Sequence, residues 1–185
     1  MVVPFILLLI SLAGAVASVL VWGPVPSLPL LFALACAVGA LILLVLAPRK
    51  GRRDYIVVDG SNVMYWDAET PKLETVGHVV KALETRGLVP VIWFDANVGY
   101  LVSDRYMGVE RLARALTVPS RQVFIAPKGT PADPLLLNGA AVLKARVVTN
   151  DRFRDWVADH PQVQQPGFLV PGQVVRGAVR LDLGA

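Results

Sequence analysis

Apolar and polar positions divide this chain of 185 residues into two unlike parts. Two long apolar runs come first, Val2 to Trp22 and Leu28 to Leu46, joined by Gly23-Pro24-Val25-Pro26-Ser27. Each run is near the ~20 residues that a helix needs to cross a hydrocarbon core. The joint, rich in proline and glycine, cannot continue a helix. Backbone polar groups must be satisfied within a bilayer, so residues 1–48 are expected to form a transmembrane helical hairpin. Small residues on the first run (Ser11, Gly14, Ala15, Ser18) and on the second (Ala33, Ala37, Ala40) either let the helices approach closely or are ordinary membrane composition.

After residue 53 the pattern changes to short β-branched runs alternating with helical periodicity. Tyr55-Ile56-Val57-Val58 reads as a buried parallel strand, followed by the loop Asp59-Gly60-Ser61-Asn62. Val76, Val79, Val80 and Leu83 fall at helical spacing, and Arg86-Gly87 supplies a cation and a glycine to end that helix. Val89 to Phe94 is the second strand, Val109 to Leu116 a helix, and Val123-Phe124-Ile125 the third strand. A helix from Leu135 to Leu143 leads to a fourth strand, Arg146 to Thr149. Asn150-Asp151 is expected to open a short helix reaching Trp156 and Val157. Phe168 to Val170 reads as a fifth strand, and Val174 to Leu183 as an extended tail on the sheet edge. Such alternation predicts an α/β sandwich of three layers over 54–185, around a mostly parallel sheet of about five strands.

Charge sharpens the division. No ionisable side chain of Asp, Glu, Lys, Arg or His occurs between Met1 and Pro48, so the net charge of +4 belongs to the rest of the chain. A basic surface suits nucleic acid or anionic headgroups, and equally an ordinary solvated face. Arg49, Lys50, Arg52 and Arg53 form a basic juxtamembrane linker over 49–53, while the joint between the apolar runs is uncharged. The positive-inside tendency therefore places the polar domain in the cytoplasm. Ala15-Val16-Ala17 resembles a signal cleavage site, but no cation precedes the apolar region, which favours a retained helix. The single Cys36 lies in the second apolar run and excludes both an intramolecular disulfide and a Cys-rich zinc site.

Ligands of parallel sheets sit at the carboxyl ends of the strands, so acids there carry the most weight. Asp59 ends the first strand, Asp133 opens the helix before the fourth, Asp151 follows the fourth, and Asp155 lies four residues on. On a continuous helix that spacing would put Asp151 and Asp155 on one face. Each alone is equally readable as a helix cap. Converging carboxylates repel one another unless a cation is present, and an oxygen-only set without Cys or His fits Mg²⁺ or Mn²⁺. Such an ion activates water and neutralises charge on a phosphodiester.

The segments Val57-Val58-Asp59-Gly60-Ser61-Asn62-Val63, Asp133, and Val148-Thr149-Asn150-Asp151-Arg152-Phe153-Arg154-Asp155 resemble the NYN branch of the PIN-like nucleases. Within it they most resemble the ribonuclease domain of the Regnase-like, CCCH-zinc-finger-associated proteins, over nearly all of Asp54 to Leu183. The resemblance implies a PIN-like fold with the first and fourth strands adjacent, and Mg²⁺-dependent endonucleolytic cleavage of RNA; the expected ion is Mg²⁺ or Mn²⁺ and the expected partner single-stranded RNA. It implies that Asp59, Asp133, Asp151 and Asp155 are catalytic, metal-holding carboxylates and that Asn62 orients the site or the substrate. Relatives often have two consecutive acids where this chain has Ala132-Asp133, and no zinc finger is present.

Arg152 and Arg154 flank Asp151 and are the best placed of the arginines to meet RNA phosphates. Asp95 and Asn97 end the second strand, either as a rim of the pocket or as an Asx turn. Tyr65 and Trp66 are candidates for base stacking or for core packing. Gly129-Thr130 lacks the glycines and lysine of a phosphate loop, and Ser61 lies in no nucleophile elbow, so ATP binding and esterase chemistry are unsupported. The rival function is a catalytically weak RNA-binding or assembly module of the same fold at the membrane, favoured by Ala132. The sequence leaves a homo-oligomer open.

Overall fold

A computed structural model describes residues 2–23, 27–46 and 53–184. The chain forms two compact units, residues 1–51 and 52–185. The joint Pro24–Pro26 and the basic residues Arg49, Lys50 and Arg52 lie outside the described residues.

The first unit is a pair of helices, α1 (Val2–Trp22) and α2 (Leu28–Leu46). Both are long and apolar enough to cross a membrane, with mean hydropathies of 2.5 and 2.8. They run antiparallel: Ser18 Oγ lies 3.1 Å from Ser27 Oγ, and Gly14 faces the Ala33 methyl. Among the small residues singled out, Ser18, Ala33 and Ala40 are buried between the helices. Most large apolar side chains of the pair point outward.

The second unit is built on a parallel sheet of five strands: β1 (Tyr55–Asp59), β2 (Val89–Phe94), β3 (Val123–Ile125), β4 (Arg146–Val148) and β5 (Leu169–Val170), in the order β3-β2-β1-β4-β5. All four pairings are parallel. β1 is central because its run is apolar on both faces. Ile56 and Val58 meet one layer, with Ile92, Val148 and the helices α4 (Leu73–Thr85) and α6 (Val109–Leu116). Val57 faces the other layer, with Val91, Val147 and α7 (Ala132–Leu143). Fully burying each such side chain contributes about 1.5–3 kcal/mol, so both faces anchor the strand.

Several local features differ from expectation. A single short helix, α3 (Gly60–Val63), follows β1 immediately, and α5 (Val98–Ser103) follows β2. A Cβ at residue 60 would overlap the Phe94 ring, so glycine is what lets the chain turn there. The tail does not extend along the sheet. It folds into an antiparallel hairpin, β6 (Gly172–Val175) and β7 (Ala178–Leu181), turned at Arg176-Gly177, where both φ angles are positive (50° and 78°). Val174, Val179 and Leu181 pack into the α4 layer rather than on an edge strand. Alternating apolar residues suit either arrangement, and the turn decides between them.

Candidate active site

The strand order reverses direction at β1: successive strands run outward through β2 and β3, then resume on the other side with β4. This switch point places Asp59 beside the loop that leaves β4, at the carboxyl edge where parallel sheets hold ligands. Asp95 leaves β2 at the same edge.

Each oxygen of Asp59 is occupied. Oδ1 accepts the Asn62 backbone N–H at 3.1 Å, capping α3, and Oδ2 accepts the Thr149 hydroxyl at 2.9 Å. The Thr149 Oγ in turn accepts the Asp151 N–H at 3.0 Å, so one buried hydroxyl joins the first and third acids. Asp151 Oδ1 accepts the Phe153 N–H at 2.9 Å, and Phe153 adopts a left-handed φ of 47°. This turn corrects the expected helix: regular 3₁₀ structure begins only at Arg154 and ends at Trp156. Asp151 and Asp155 therefore do not share a helical face. They approach the site separately, both exposed.

Asp133 sits in the first turn of α7 and accepts the Trp156 indole N–H at 3.2 Å, which holds the 154–156 turn against the helix. Asn62 Oδ1 accepts both the Trp66 indole N–H at 2.8 Å and the Asn150 N–H at 3.0 Å. That oxygen braces the β1 loop against the β4 loop, and Trp66 packs against the core. Asn150 completes the brace from its side chain, donating to Gly172 O and accepting from Gly172 N–H, each at 3.0 Å. Thr149 and Asn150 were legible only as part of the quoted motif, because their roles lie in hydrogen bonds across the chain. Arg152 and Arg154 are exposed. Asp95 donates its N–H to Ser61 Oγ at 2.9 Å, and Asn97 caps α5 without a side-chain bond, so neither builds the anticipated Asx turn.

The electrostatics follow from this packing. Burial pushes the Asp59 carboxyl up to about 7, against the lowering effect of its bonds from Asn62 and Thr149, and Asp133 and Asp95 raise it further. Asp133 is also raised, by burial first and then by Asp151, Asp95 and Asp155, while its bond from Trp156 opposes this. Asp59 thus feels the charge of Asp133 and Asp95, and Asp133 that of Asp151, Asp95 and Asp155. Among the described residues the ion pairs are Lys72 with Asp67 and His78 with Glu74, so none of the five has a cationic partner there. Nor do any three acidic, Cys or His side chains among the described residues stand close enough to grip a single ion. The donor set still suits a hard divalent ion: it is all oxygen, it is uncompensated, and Mg²⁺ commonly takes one or two carboxylates directly and keeps its waters.

A model of the Zc3h12a-like ribonuclease NYN domain matches residues 52–166, which include this entire constellation. The chain belongs to that family. No curated protein matches it in sequence. Solved structures that share the fold include two of a plant ribonuclease P. One is the crystal structure of nuclear proteinaceous RNase P 2 (PRORP2) from A. thaliana, at 20% identity and a TM-score of 0.54, covering 71% of this chain and 30% of that one. The other, Arabidopsis thaliana nuclear protein-only RNase P 2, has 19% identity and a TM-score of 0.51, covering 82% of this chain and 34% of that one. The chain spans about a third of the length of these structures. This NYN domain is accordingly a ribonuclease-family α/β fold carrying an acidic edge.

Asp59 gives a pH signature. Its carboxyl is raised from 3.8 to about 7, so between those values the folded NYN domain holds a proton that the unfolded chain has lost. Stability attributable to Asp59 is therefore full below pH 4, falls as pH rises to 7, and amounts to a loss on the order of 4 kcal/mol above that. In chelator, urea unfolding at successive pH values should show Asp59→Asn gaining stability over the parent only as pH rises through this window. An equal difference at pH 4 and pH 8 would contradict the assignment.

Proposed function

We propose that this chain is a membrane-anchored endoribonuclease that hydrolyses phosphodiester bonds of single-stranded RNA, with its NYN domain facing the cytoplasm. The observation that carries the reading is the gathering of Asp59, Asp133, Asp151 and Asp155, with Asp95 beside them, at one sheet edge of a ribonuclease-family fold without a compensating cation among the described residues. One or two of Asp59, Asp133, Asp151 and Asp155 would hold Mg²⁺ or Mn²⁺ directly and the others would act through the ion's waters, with Asp95 as an adjoining acid. When bound, such an ion neutralises charge on the phosphodiester and makes water a better nucleophile at neutral pH.

The chain's own residues supply positioning. Thr149 and the Asn62 N–H fix both oxygens of Asp59, so its carboxylate needs no reorganisation when charge develops nearby. The Phe153 N–H fixes Asp151 in the same way. Asn62 and Asn150 hold the two acid-bearing loops in register. Arg152 and Arg154, exposed on either side of Phe153, are suited to RNA phosphates flanking the scissile bond. Hydrolysis adds water across a P–O bond, and the departing oxygen takes up a proton.

The full chain in detergent should cleave single-stranded RNA with Mn²⁺ or Mg²⁺ and stop in chelator. Asp59→Asn and Asp151→Asn should each lower the rate by about 10²-fold or more, by analogy with loss of one charge-stabilising group. Equal cleavage by parent and variants would mean a contaminating nuclease. The second reading, an RNA-binding module without turnover, draws on Ala132 and on the absence of a three-carboxylate grip among the described residues. Calorimetric titration separates the two, because RNA binding with no Mn²⁺ binding supports the module alone.

The anchoring half rests on α1 and α2 and on the basic residues that follow them. Protease added to inside-out membrane vesicles should digest the NYN domain, and right-side-out vesicles should protect it. The reverse pattern would place the domain on the other side.

A further inference from the structure

A second feature lies at the same sheet edge. A groove of about 690 Å³ opens beyond β2 and β3, lined by Asn97, Tyr100, Tyr106, Val109, Ile125 and Lys128 among others. The volume falls within the roughly 300–1,000 Å³ of small-molecule sites. Tyr100 and Tyr106 are 56% and 63% exposed, an unusual display for two large rings on one wall. Lys128 supplies the groove's charge, and no carboxylate lines it.

The groove begins, along the chain, directly after the acidic edge. Its near end is Ala96-Asn97, the residues directly after Asp95, and Asp95 acts electrostatically on both Asp59 and Asp133. Its floor, Ile125 and Ala126, is tied to the end of β2 by a bond from Ala126 N–H to Phe94 O at 2.8 Å. The far wall is held in place by Gly99. A Cβ there would collide with the Met107 backbone nitrogen and the Arg105 carbonyl, so α5 and the 104–108 segment touch backbone to backbone. That contact sets Tyr100, one residue after Gly99, and Tyr106, one residue before Met107, around the same space. The Asp104 φ of 53° ends α5 and lets the segment turn back over it.

We propose that this groove is a base-binding subsite, in which Tyr100 and Tyr106 stack nucleobases of a single-stranded RNA while Lys128 meets its backbone. The inference rests on the RNA substrate proposed above and adds where the strand runs: away from the acids, past Asn97 and over α5. An aromatic wall with one cation fits single-stranded nucleic acid, because every base has a face to stack and every nucleotide a negative charge. Duplex RNA keeps its bases paired and inaccessible to such rings.

The test uses the full chain in detergent with Mn²⁺, in the Asp59→Asn background so that RNA is not consumed. The probe is a short single-stranded RNA with a 2-aminopurine base, whose fluorescence falls on stacking. Tyr100→Ala and Tyr106→Ala should each weaken binding roughly 5- to 100-fold and relieve the quenching at saturation. Tyr100→Phe and Tyr106→Phe should retain both. Lys128→Ala should leave the quenching but lower the salt dependence of binding by about one phosphate contact. Alanine variants that bind and quench like their parent would overturn the groove alone and leave the nuclease reading standing. A parent that binds no RNA would overturn both, and tyrosine effects without any metal-dependent cleavage by the unsubstituted chain would keep the groove and remove the nuclease.

Discussion

The NYN domain is organised around one costly arrangement, a carboxylate buried at the end of its central strand. Asp59 is 8% exposed and has two hydrogen bonds, yet burial still pushes its carboxyl up to about 7. A core strand apolar on both faces leaves no choice about where that side chain goes, because Val57 and Val58 are locked into opposite layers and fix the register of the next residue. Electrostatic strain at this point is a stability cost that packing elsewhere offsets, a pattern found where function needs a group that folding alone would disfavour. A divalent cation is the natural complement.

Around Asp59 the chain builds a brace rather than a second set of charges. Thr149 links it to Asp151, Asn62 links the β1 loop to the β4 loop, and Asn150 grips Gly172 at the start of the hairpin. A Cβ at residue 172 would collide with Arg180, Leu181 and Trp66, so glycine is required where the hairpin meets this network. The hairpin is thereby more than a terminal appendage: its packing on the α4 layer and its bond to Asn150 immobilise the residue next to Asp151. The acidic edge is tied by hydrogen bonds at Asp59 and Asp151 and exposed at Arg152 and Arg154.

Most of this frame could be read from the sequence. The five parallel strands declared themselves through β-branched runs such as Tyr55–Val58 and Val89–Phe94, since a strand buried on both faces tolerates little else. The acids at strand ends followed from topology, and the family followed from two motifs that topology brings together. Three things could not be read. The turn after Asp151 depends on a non-glycine residue, Phe153, in a left-handed conformation, which no local preference signals. The hairpin has the same alternation as an edge strand, and only its turn geometry separates them. The choice between pocket rim and Asx turn at Asp95 stayed open because nothing local reveals its charge acting on Asp59 across the sheet. Long-range partners, rather than local propensity, decided all three.

Crystals of the full chain grown with Mn²⁺ and measured at a wavelength where manganese scatters anomalously address the central claim most directly. Anomalous density within direct or one-water reach of Asp59, Asp133 and Asp151 is the predicted result. Saturating Mn²⁺ that leaves this edge featureless, with density only elsewhere or nowhere, would contradict it.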